Sequence, residues 1–143
     1  MKLVLSSAIL DDLQELARQA APEEVCGLLF GYNRTVSSFK ATKNVAENPL
    51  RHFEIHPSDL IAAERAMRDG GPNIIGYYHS HPSGSVRPSK TDAVMAAADD
   101  RIWLIVDGQQ AAAWRAVQKG EIYDRFDPIT LDCQSTNGQT AVN

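Results

Sequence analysis

Residues 77–92, YYHSHPSGSVRPSKTD, place two histidines on either side of a serine and an aspartate eleven residues after the second histidine. The run that leads into them, NIIGYYHSH, is rich in β-branched and aromatic residues, which predicts a strand that ends at the histidines. Side chains two positions apart on a strand project to the same face of the sheet. His79 and His81 are therefore expected to lie side by side, which supplies two ligands of a metal site.

A third ligand is expected from the helix that follows this strand. A catalytic zinc takes three protein ligands and keeps one position for water. The sequence SKTDAVMAAADD predicts a helix that starts near Ser89, with Asp92 in its first turn. The intervening loop is rich in Gly, Ser and Pro and is long enough to fold that turn back over the strand end. Ser89 and Asp92 also have the spacing of a capping box, so a purely structural interpretation of the pair stays open.

Two adjacent acids, Glu23 and Glu24, come directly before the apolar run VCGLLFG, which predicts a buried strand. This is an unusual place for a carboxylate pair that is only solvated. Hydrolysis by a metal-activated water needs a group that takes a proton from the water and another that returns one to the leaving group. A carboxylate here is a candidate for this work. Cys26, within the apolar run, is interpreted as a small buried residue without a catalytic role.

Together the two segments resemble the JAMM metalloproteases, the catalytically competent branch of the MPN domain. HSHPSGSVRPSKTD is similar to the family signature, in which His-x-His-Pro is followed after a loop by Ser-x-x-Asp. The upstream PEEVCGLLFG is similar to that family's Pro-x-Glu-x-Cys-Gly-Leu-Leu segment. The resemblance extends from the first helix to about Phe126, and the chain length is similar to that of the short stand-alone prokaryotic members.

The resemblance implies a role for each motif residue. It matches the three ligands of one Zn²⁺ per chain to His79, His81 and Asp92. Glu24 matches the general acid/base that handles the catalytic water, whereas Glu23 falls one residue too early. Ser89 matches the serine that hydrogen-bonds the water and stabilises the tetrahedral intermediate.

The fold that the resemblance implies is the MPN fold, which is similar to that of cytidine deaminases: a curved mixed β-sheet flanked by helices. The hydrophobic pattern independently predicts the order α-β-β-β-α-β-α-β-β-β, which also belongs to the α/β class. We expect one catalytic domain over residues 1–127. Residues 128–143 are predicted to form a polar tail, with a composition typical of disorder over the last dozen residues.

Composition limits the classes of partner and the compartment. The chain has 143 residues and a net charge of −4 with no basic run, which argues against a nucleic-acid binder. Its two cysteines lie far apart and form no disulfide framework, which favours a reducing compartment. Neither a membrane-length apolar segment nor a signal peptide is predicted, so we expect a cytoplasmic protein with no membrane partner.

The resemblance implies a zinc-dependent peptidase or isopeptidase that cleaves after the C-terminal tail of a ubiquitin-like or sulfur-carrier protein. One alternative is the release of an amino acid such as cysteine from the C-terminus of a sulfur carrier. A second alternative is a non-catalytic MPN scaffold, against which the complete ligand set argues. The oligomeric state and the choice between isopeptide and linear bonds stay open.

Several aromatic residues and histidines outside the motif also admit two interpretations. Trp103 is predicted to lie in the core, whereas Trp114 fits either the core or a binding surface. His52 and His56 have the spacing of a helical metal pair, but the following proline and the β-rich segment favour surface or capping roles. Three aromatic residues fit equally a substrate groove and the core: Phe39, Phe53 and Tyr77.

Overall fold

The computed structural model describes residues 1–135, which form a closed barrel of seven strands together with three helices. The elements in chain order are β1 (Lys2–Ser6), α1 (Ser7–Ala20), β2 (Cys26–Tyr32), β3 (Thr35–Thr42), α2 (Pro57–Arg68), β4 (Ile74–Ser80), α3 (Lys90–Met95), β5 (Ile102–Val106), β6 (Ala111–Gly120) and β7 (Asp124–Gln134). The predicted α/β class with a curved mixed sheet is confirmed, because the barrel contains both parallel and antiparallel strand pairs.

Strand β4 holds the position that matters most for the site. The order around the barrel is β1-β3-β2-β4-β5-β6-β7, so β4 lies between β2, to which it is antiparallel, and β5, to which it is parallel. A Cβ at Gly76 would overlap the Ile102 carbonyl oxygen of β5, so glycine permits this close strand approach. The end of β4 is thereby fixed on both sides by neighbouring strands.

The first strand was not predicted, and it changes the expected C-terminal boundary. Residues of β1 pair in parallel with β7, from Lys2 opposite Thr130 to Ser6 opposite Gln134. Strand β7 continues past the domain boundary predicted at residue 127, because residues 128–134 belong to it. Leu3 and Leu5 of β1 are fully buried, which explains why so short a strand is stable. The remainder of the predicted tail, residues 136–143, lies outside the described residues.

Side-chain caps mark the starts of the first two helices. The Ser6 hydroxyl accepts a hydrogen bond from the Ile9 amide at 3.2 Å and caps α1, which packs Leu13 and Ala17 into the core. His56 caps α2, because its Nδ1 accepts a hydrogen bond from the Ser58 amide at 3.0 Å. The capping role predicted for His56 is confirmed. Within residues 1–135, none of the helices has the length and apolar character needed to span a membrane.

The segment around HFEI, interpreted from sequence as a short strand, forms only one isolated bridge, Asn44 to Ile55. The side chain of Asn44 takes the place of a strand partner. Its amide nitrogen donates to the carbonyls of His52 and Glu24 at 2.9 Å, and its oxygen accepts from the amides of Ala46 and Glu54 at 3.0 Å. One asparagine thus ties this irregular segment to the entrance of β2.

The core contains most of the aromatic residues for which the sequence left a choice between the core and a binding surface. Trp103 is 4 % exposed and Phe53 is 5 % exposed, which confirms the core prediction for Trp103 and assigns Phe53 to the core as well. Trp114 is also buried, and its indole nitrogen donates to the Val86 carbonyl at 3.0 Å. This hydrogen bond anchors the loop that follows β4 to strand β6.

Candidate metal centre

The two histidines lie at the C-terminal end of β4 and face each other, as the strand spacing predicts. His79 is the second-last residue of β4 and His81 follows the strand directly. Their Nε2 atoms are 3.0 Å apart, and the side chains are 0 % and 9 % exposed. Because both rings are almost fully buried, each nitrogen needs a polar partner at this place.

Asp92 joins the pair from the first turn of α3. Its Oδ2 lies 3.2 Å from the Nε2 atom of each histidine. The same oxygen accepts a hydrogen bond from the Ser89 amide at 2.9 Å, while the Ser89 hydroxyl accepts one from the Asp92 amide at 3.0 Å. The capping box is therefore present, and it aims the carboxylate at the histidines. The structural interpretation of Ser89 and Asp92 is confirmed without excluding a chemical role.

The three atoms have the spacing that a tetrahedral zinc requires. Their separations are 3.0, 3.2 and 3.2 Å. With zinc bonds of about 2.0–2.1 Å, two ligands of a tetrahedron lie about 3.3 Å apart. Two imidazole nitrogens and a carboxylate oxygen are also ligand types that zinc accepts. The donor set and its geometry therefore fit a zinc ion.

The surroundings of the two rings hold them in different ways. Nδ1 of His81 lies 2.8 Å from the Ser85 carbonyl, to which it donates, so Nε2 carries the free lone pair. His79 instead stacks on Phe53, with ring centroids 4.2 Å apart at an angle of 21°, and meets Trp103 edge-on. Its Nδ1 is buried and has no hydrogen-bond partner within residues 1–135. Aromatic packing thus orients one ring and a backbone carbonyl orients the other.

Electrostatics act differently on the three candidate ligands: for His81, burial opposes a charge, but Asp92 and Glu24 outweigh it and raise the pKa of the ring. Burial lowers the pKa of His79 below its usual value, so the ring is held neutral. For Asp92, burial acts to raise the pKa, but the contacts with His79 and His81 and the hydrogen bond from the Ser89 amide outweigh it and hold the pKa well below the ordinary range. A neutral imidazole beside an ionised carboxylate is the state that binds a divalent cation.

Glu24 reaches the same place from the connection between α1 and β2, fifty-five residues before His79. A carboxylate oxygen of Glu24 and one ring nitrogen from each histidine all lie within 4.8 Å of one another. Its side chain is buried, unlike that of Glu23, which is exposed. The structure therefore brings four of the predicted site residues together: Glu24, His79, His81 and Asp92. The fifth, Ser89, lies beside them.

Backbone contacts hold the Glu24 position. Its amide donates to the Pro49 carbonyl at 2.8 Å, and its carbonyl accepts from the Asn44 side chain at 2.9 Å. The next residue, Val25, is joined to Ser80 twice: the Val25 amide donates to the Ser80 hydroxyl at 2.8 Å, and the Val25 carbonyl accepts from the Ser80 amide at 3.0 Å. Ser80 lies between the two histidines, so the acid and the rings share one rigid support.

Burial also changes the proton affinity of this acid. It raises the pKa of the Glu24 carboxyl to about 7, while His81 opposes the shift and Asp92 adds to it. A group with a pKa near neutrality can both accept and donate a proton at physiological pH. Glu24 thus has the position and the proton affinity of a general acid/base.

A groove of about 620 Å³ opens onto these residues and is lined by Glu24, His81 and Ser89. Residues that the sequence analysis did not single out form much of its wall: Leu50, Arg51, Arg87 and Tyr123. They come from irregular segments, where no periodic pattern marks residues that share a surface. Only Arg87, which lies within the motif loop, could have been connected with the site from the sequence. His52 also lines the groove and is half-buried, so the surface position expected for it is only partly correct.

Comparison with known proteins gives a consistent result. The model of a family described as prokaryotic homologs of the JAB domain matches residues 6–118. The desampylase of Haloferax volcanii is 34 % identical over 119 residues, which cover 78 % of this chain and 86 % of that protein. The CysO-cysteine peptidase of Mycobacterium tuberculosis is 27 % identical over 107 residues, which cover 73 % of this chain and 72 % of the peptidase.

The fold also has a solved counterpart. A crystal structure of a JAB1/MPN domain protein from Archaeoglobus fulgidus superposes with a TM-score of 0.58 at 19 % identity, covering 91 % of this chain and 97 % of that one. This likeness concerns the fold alone. It confirms the MPN architecture expected from the sequence motifs.

Proposed function

Because the chain belongs to the family of prokaryotic homologs of the JAB domain, we propose that it is a zinc-dependent peptidase acting on ubiquitin-like or sulfur-carrier proteins. The bond cleaved is the amide that follows the C-terminal tail of such a protein. One observation carries the proposal: two histidines, an aspartate and a buried glutamate converge at the base of a groove. A non-catalytic scaffold would not need this buried, mutually repelling set of acids.

We assign the metal ligands by distance. Nε2 of His79, Nε2 of His81 and Oδ2 of Asp92 form the triangle of 3.0–3.2 Å and would hold one Zn²⁺. Glu24 lies within 4.8 Å of the histidine nitrogens, and we assign it to proton transfer rather than to the ligand triangle. When bound, zinc supplies a Lewis acid that lowers the pKa of a water to about 7 and polarises the scissile carbonyl.

Glu24 then handles the proton of the attacking water. Its carboxylate accepts one proton as the water oxygen attacks the carbonyl carbon, and it delivers that proton to the leaving nitrogen as the carbon–nitrogen bond breaks. Its pKa of about 7 suits both steps, because neither the charged nor the neutral form is strongly disfavoured. No covalent enzyme intermediate is required, so no nucleophilic side chain takes part.

Ser89 is assigned to the developing oxyanion. Its hydroxyl oxygen accepts the capping hydrogen bond from the Asp92 amide at 3.0 Å, which leaves the hydroxyl hydrogen available for donation. Ser89 lines the groove beside Glu24 and His81, so this hydrogen can point at a bound carbonyl oxygen. Capping and catalysis use different atoms of the same hydroxyl and are compatible.

Two relatives indicate the class of substrate. One of them is named a desampylase and the other a CysO-cysteine peptidase. We infer for this chain the shared chemistry, hydrolysis after the tail of a ubiquitin-like or sulfur-carrier protein. Release of a single amino acid is the second candidate, which the two arginines in the groove favour.

The test pairs a metal assay with a cleavage assay. Zinc content is measured by elemental analysis in the wild type and in Glu24→Gln, and each is incubated with ubiquitin-like fusions of linear and isopeptide type. We expect about one zinc per chain in both proteins, and hydrolysis only by the wild type. Removal of zinc by a strong chelator should abolish cleavage, and added zinc should restore it. Full cleavage by the metal-free protein would overturn the proposal.

A further inference from the structure

We propose that Arg51 and Arg87 form a carboxylate-recognition pair that selects substrates with a carboxylate next to the scissile bond. The inference rests on the proposed peptidase function and narrows its substrate class. Both side chains line the groove that also contains Glu24, His81 and Ser89. A carboxylate bound by the arginines would therefore share one cavity with the reacting amide.

Neither guanidinium has an acidic partner within residues 1–135. Other arginines of the chain do: Arg18 contacts Glu15 at 2.8 Å and Arg115 contacts Asp100 at 2.7 Å. Arg51 and Arg87 are exposed and keep their hydrogen-bond donors available to a ligand. A planar guanidinium presents parallel N–H donors that match the two oxygens of a carboxylate, so an anion of this shape is the expected occupant.

The charge of the groove is opposite to that of the chain. The whole chain carries a net charge of −4, whereas the groove-lining residues within 1–135 include two arginines and a single acid, Glu24. A concave site with an excess of one sign of charge concentrates ligands of the other sign. The groove therefore favours an anionic substrate group and disfavours a lysine or arginine close to the scissile bond.

The backbone around each arginine is anchored, while both side chains are exposed. Val86, just before Arg87, accepts the Trp114 indole hydrogen bond at 3.0 Å, and Pro88, just after it, is buried. The Arg51 amide donates to the Asn48 carbonyl at 3.1 Å within a turn. Fixed backbones reduce the entropy lost when the side chains close on a ligand.

Two sources can supply the carboxylate. One is the α-carboxylate of a single amino acid attached to the carrier tail, and the other is an acidic side chain beside the cleaved bond. The two differ in the covalent position of the charge, which synthetic substrates can separate.

The experiment uses the zinc-loaded full-length chain and a ubiquitin-like domain that ends in Gly-Gly. Three extensions are joined to the terminal glycine by an amide bond: alanine, alanine amide and aspartic acid amide. The ratio of kcat/KM for each carboxylate substrate to that for alanine amide is measured by intact mass spectrometry. The proteins are the wild type, Arg51→Gln, Arg87→Gln and the control Arg68→Gln, an exposed arginine on α2 outside the groove.

We expect the wild type to prefer at least one carboxylate substrate over alanine amide by roughly 10- to 100-fold, the usual value of a charge-assisted hydrogen bond. Each groove variant should bring that ratio towards one, mainly through KM, while Arg68→Gln keeps it. Preference for alanine identifies an α-carboxylate, and preference for aspartic acid amide identifies a side chain. Equal cleavage of all three, or a ratio unchanged in both groove variants, would overturn the inference alone. If the zinc-loaded wild type cleaves none, the proposed function fails and the inference fails with it.

Discussion

Two segments of the chain build the site in contrasting ways. The metal segment, residues 79–92, carries both histidines, the aspartate and the cap that orients it, within one strand end, loop and helix start. The acid-base segment, residues 23–26, contributes only Glu24 to the site, and the position of Glu24 depends on hydrogen bonds to residues far away in sequence. The proposed metal ligands thus come from one local segment of the chain, whereas the position of the proposed acid depends on the tertiary structure.

The comparison predicts which function each perturbation removes. A change in the metal segment should remove the metal and with it all activity. A change in the acid-base segment should leave the metal in place and slow hydrolysis, as the Glu24→Gln experiment above tests. The following substitutions extend this distinction, from the largest expected effect to the smallest.

Replacement of Asp92 by alanine should have the largest effect, because it removes a ligand and half of the capping box together. We expect loss of stoichiometric zinc and of all detectable hydrolysis, together with a decrease of about 1 kcal/mol in the free energy of unfolding. Asp92→Asn keeps an oxygen acceptor for the cap and separates the two effects. Elemental analysis and chemical denaturation measure them. An Asp92→Asn protein with full zinc content and wild-type turnover would refute the ligand assignment.

Ser89→Ala should retain zinc but lower kcat by roughly 10²–10³-fold, the usual cost of removing one oxyanion donor. Ser89→Ala also removes a helix cap, so a control is needed that separates a loss of stability from a loss of catalysis. Ser6→Ala removes the equivalent cap of α1, where the hydroxyl accepts from the Ile9 amide at 3.2 Å. We expect both variants to lose about 1 kcal/mol of stability and only Ser89→Ala to lose activity. Equal turnover in the two variants would limit Ser89 to capping.

The metal segment was predictable from sequence because each step in it is local. Strand alternation places His79 and His81 on one face, and the spacing of Ser89 and Asp92 encodes the cap. The place of Glu23 and Glu24 before a buried strand marked a candidate acid, but only the family resemblance selected Glu24, since no spacing rule joins either residue to the histidines. Its supports, Ser80 and Asn44, act through contacts across 55 and 20 residues, which a linear pattern does not display.

The same reasoning explains what the sequence analysis missed in the fold and the groove. Strand β1 is only five residues long and depends on parallel pairing with β7 at the other end of the chain. The groove arginines lie in irregular segments, where neither helical nor strand periodicity marks a common face. Non-local pairing and loop geometry are therefore the parts that require a structure.

Ser80→Ala tests the connection between the two segments directly. Ser80 is fully buried, and its hydroxyl accepts the Val25 amide at 2.8 Å, so alanine leaves that amide without a partner. We expect a loss of about 1–3 kcal/mol in stability and a decrease in kcat of roughly 10-fold, because the position of Glu24 is loosened. Zinc content should not change, since neither ring loses a contact. Loss of zinc instead would mean that Ser80 supports the histidines rather than the acid.

The smallest effect is expected at Cys26, which belongs to the acid-base segment by sequence but not by chemistry. Its side chain is 1 % exposed, and burial raises the pKa of its thiol to about 11, so thiolate is scarce at neutral pH. Iodoacetamide should therefore modify the exposed Cys133 and spare Cys26, with hydrolysis unchanged. Peptide mapping of the alkylated, zinc-loaded protein measures this, and unfolding in denaturant before alkylation is the positive control. Modification of Cys26 in the folded chain with parallel loss of activity would contradict a mechanism without a protein nucleophile, and it would make the acid-base segment chemically active at two residues rather than one.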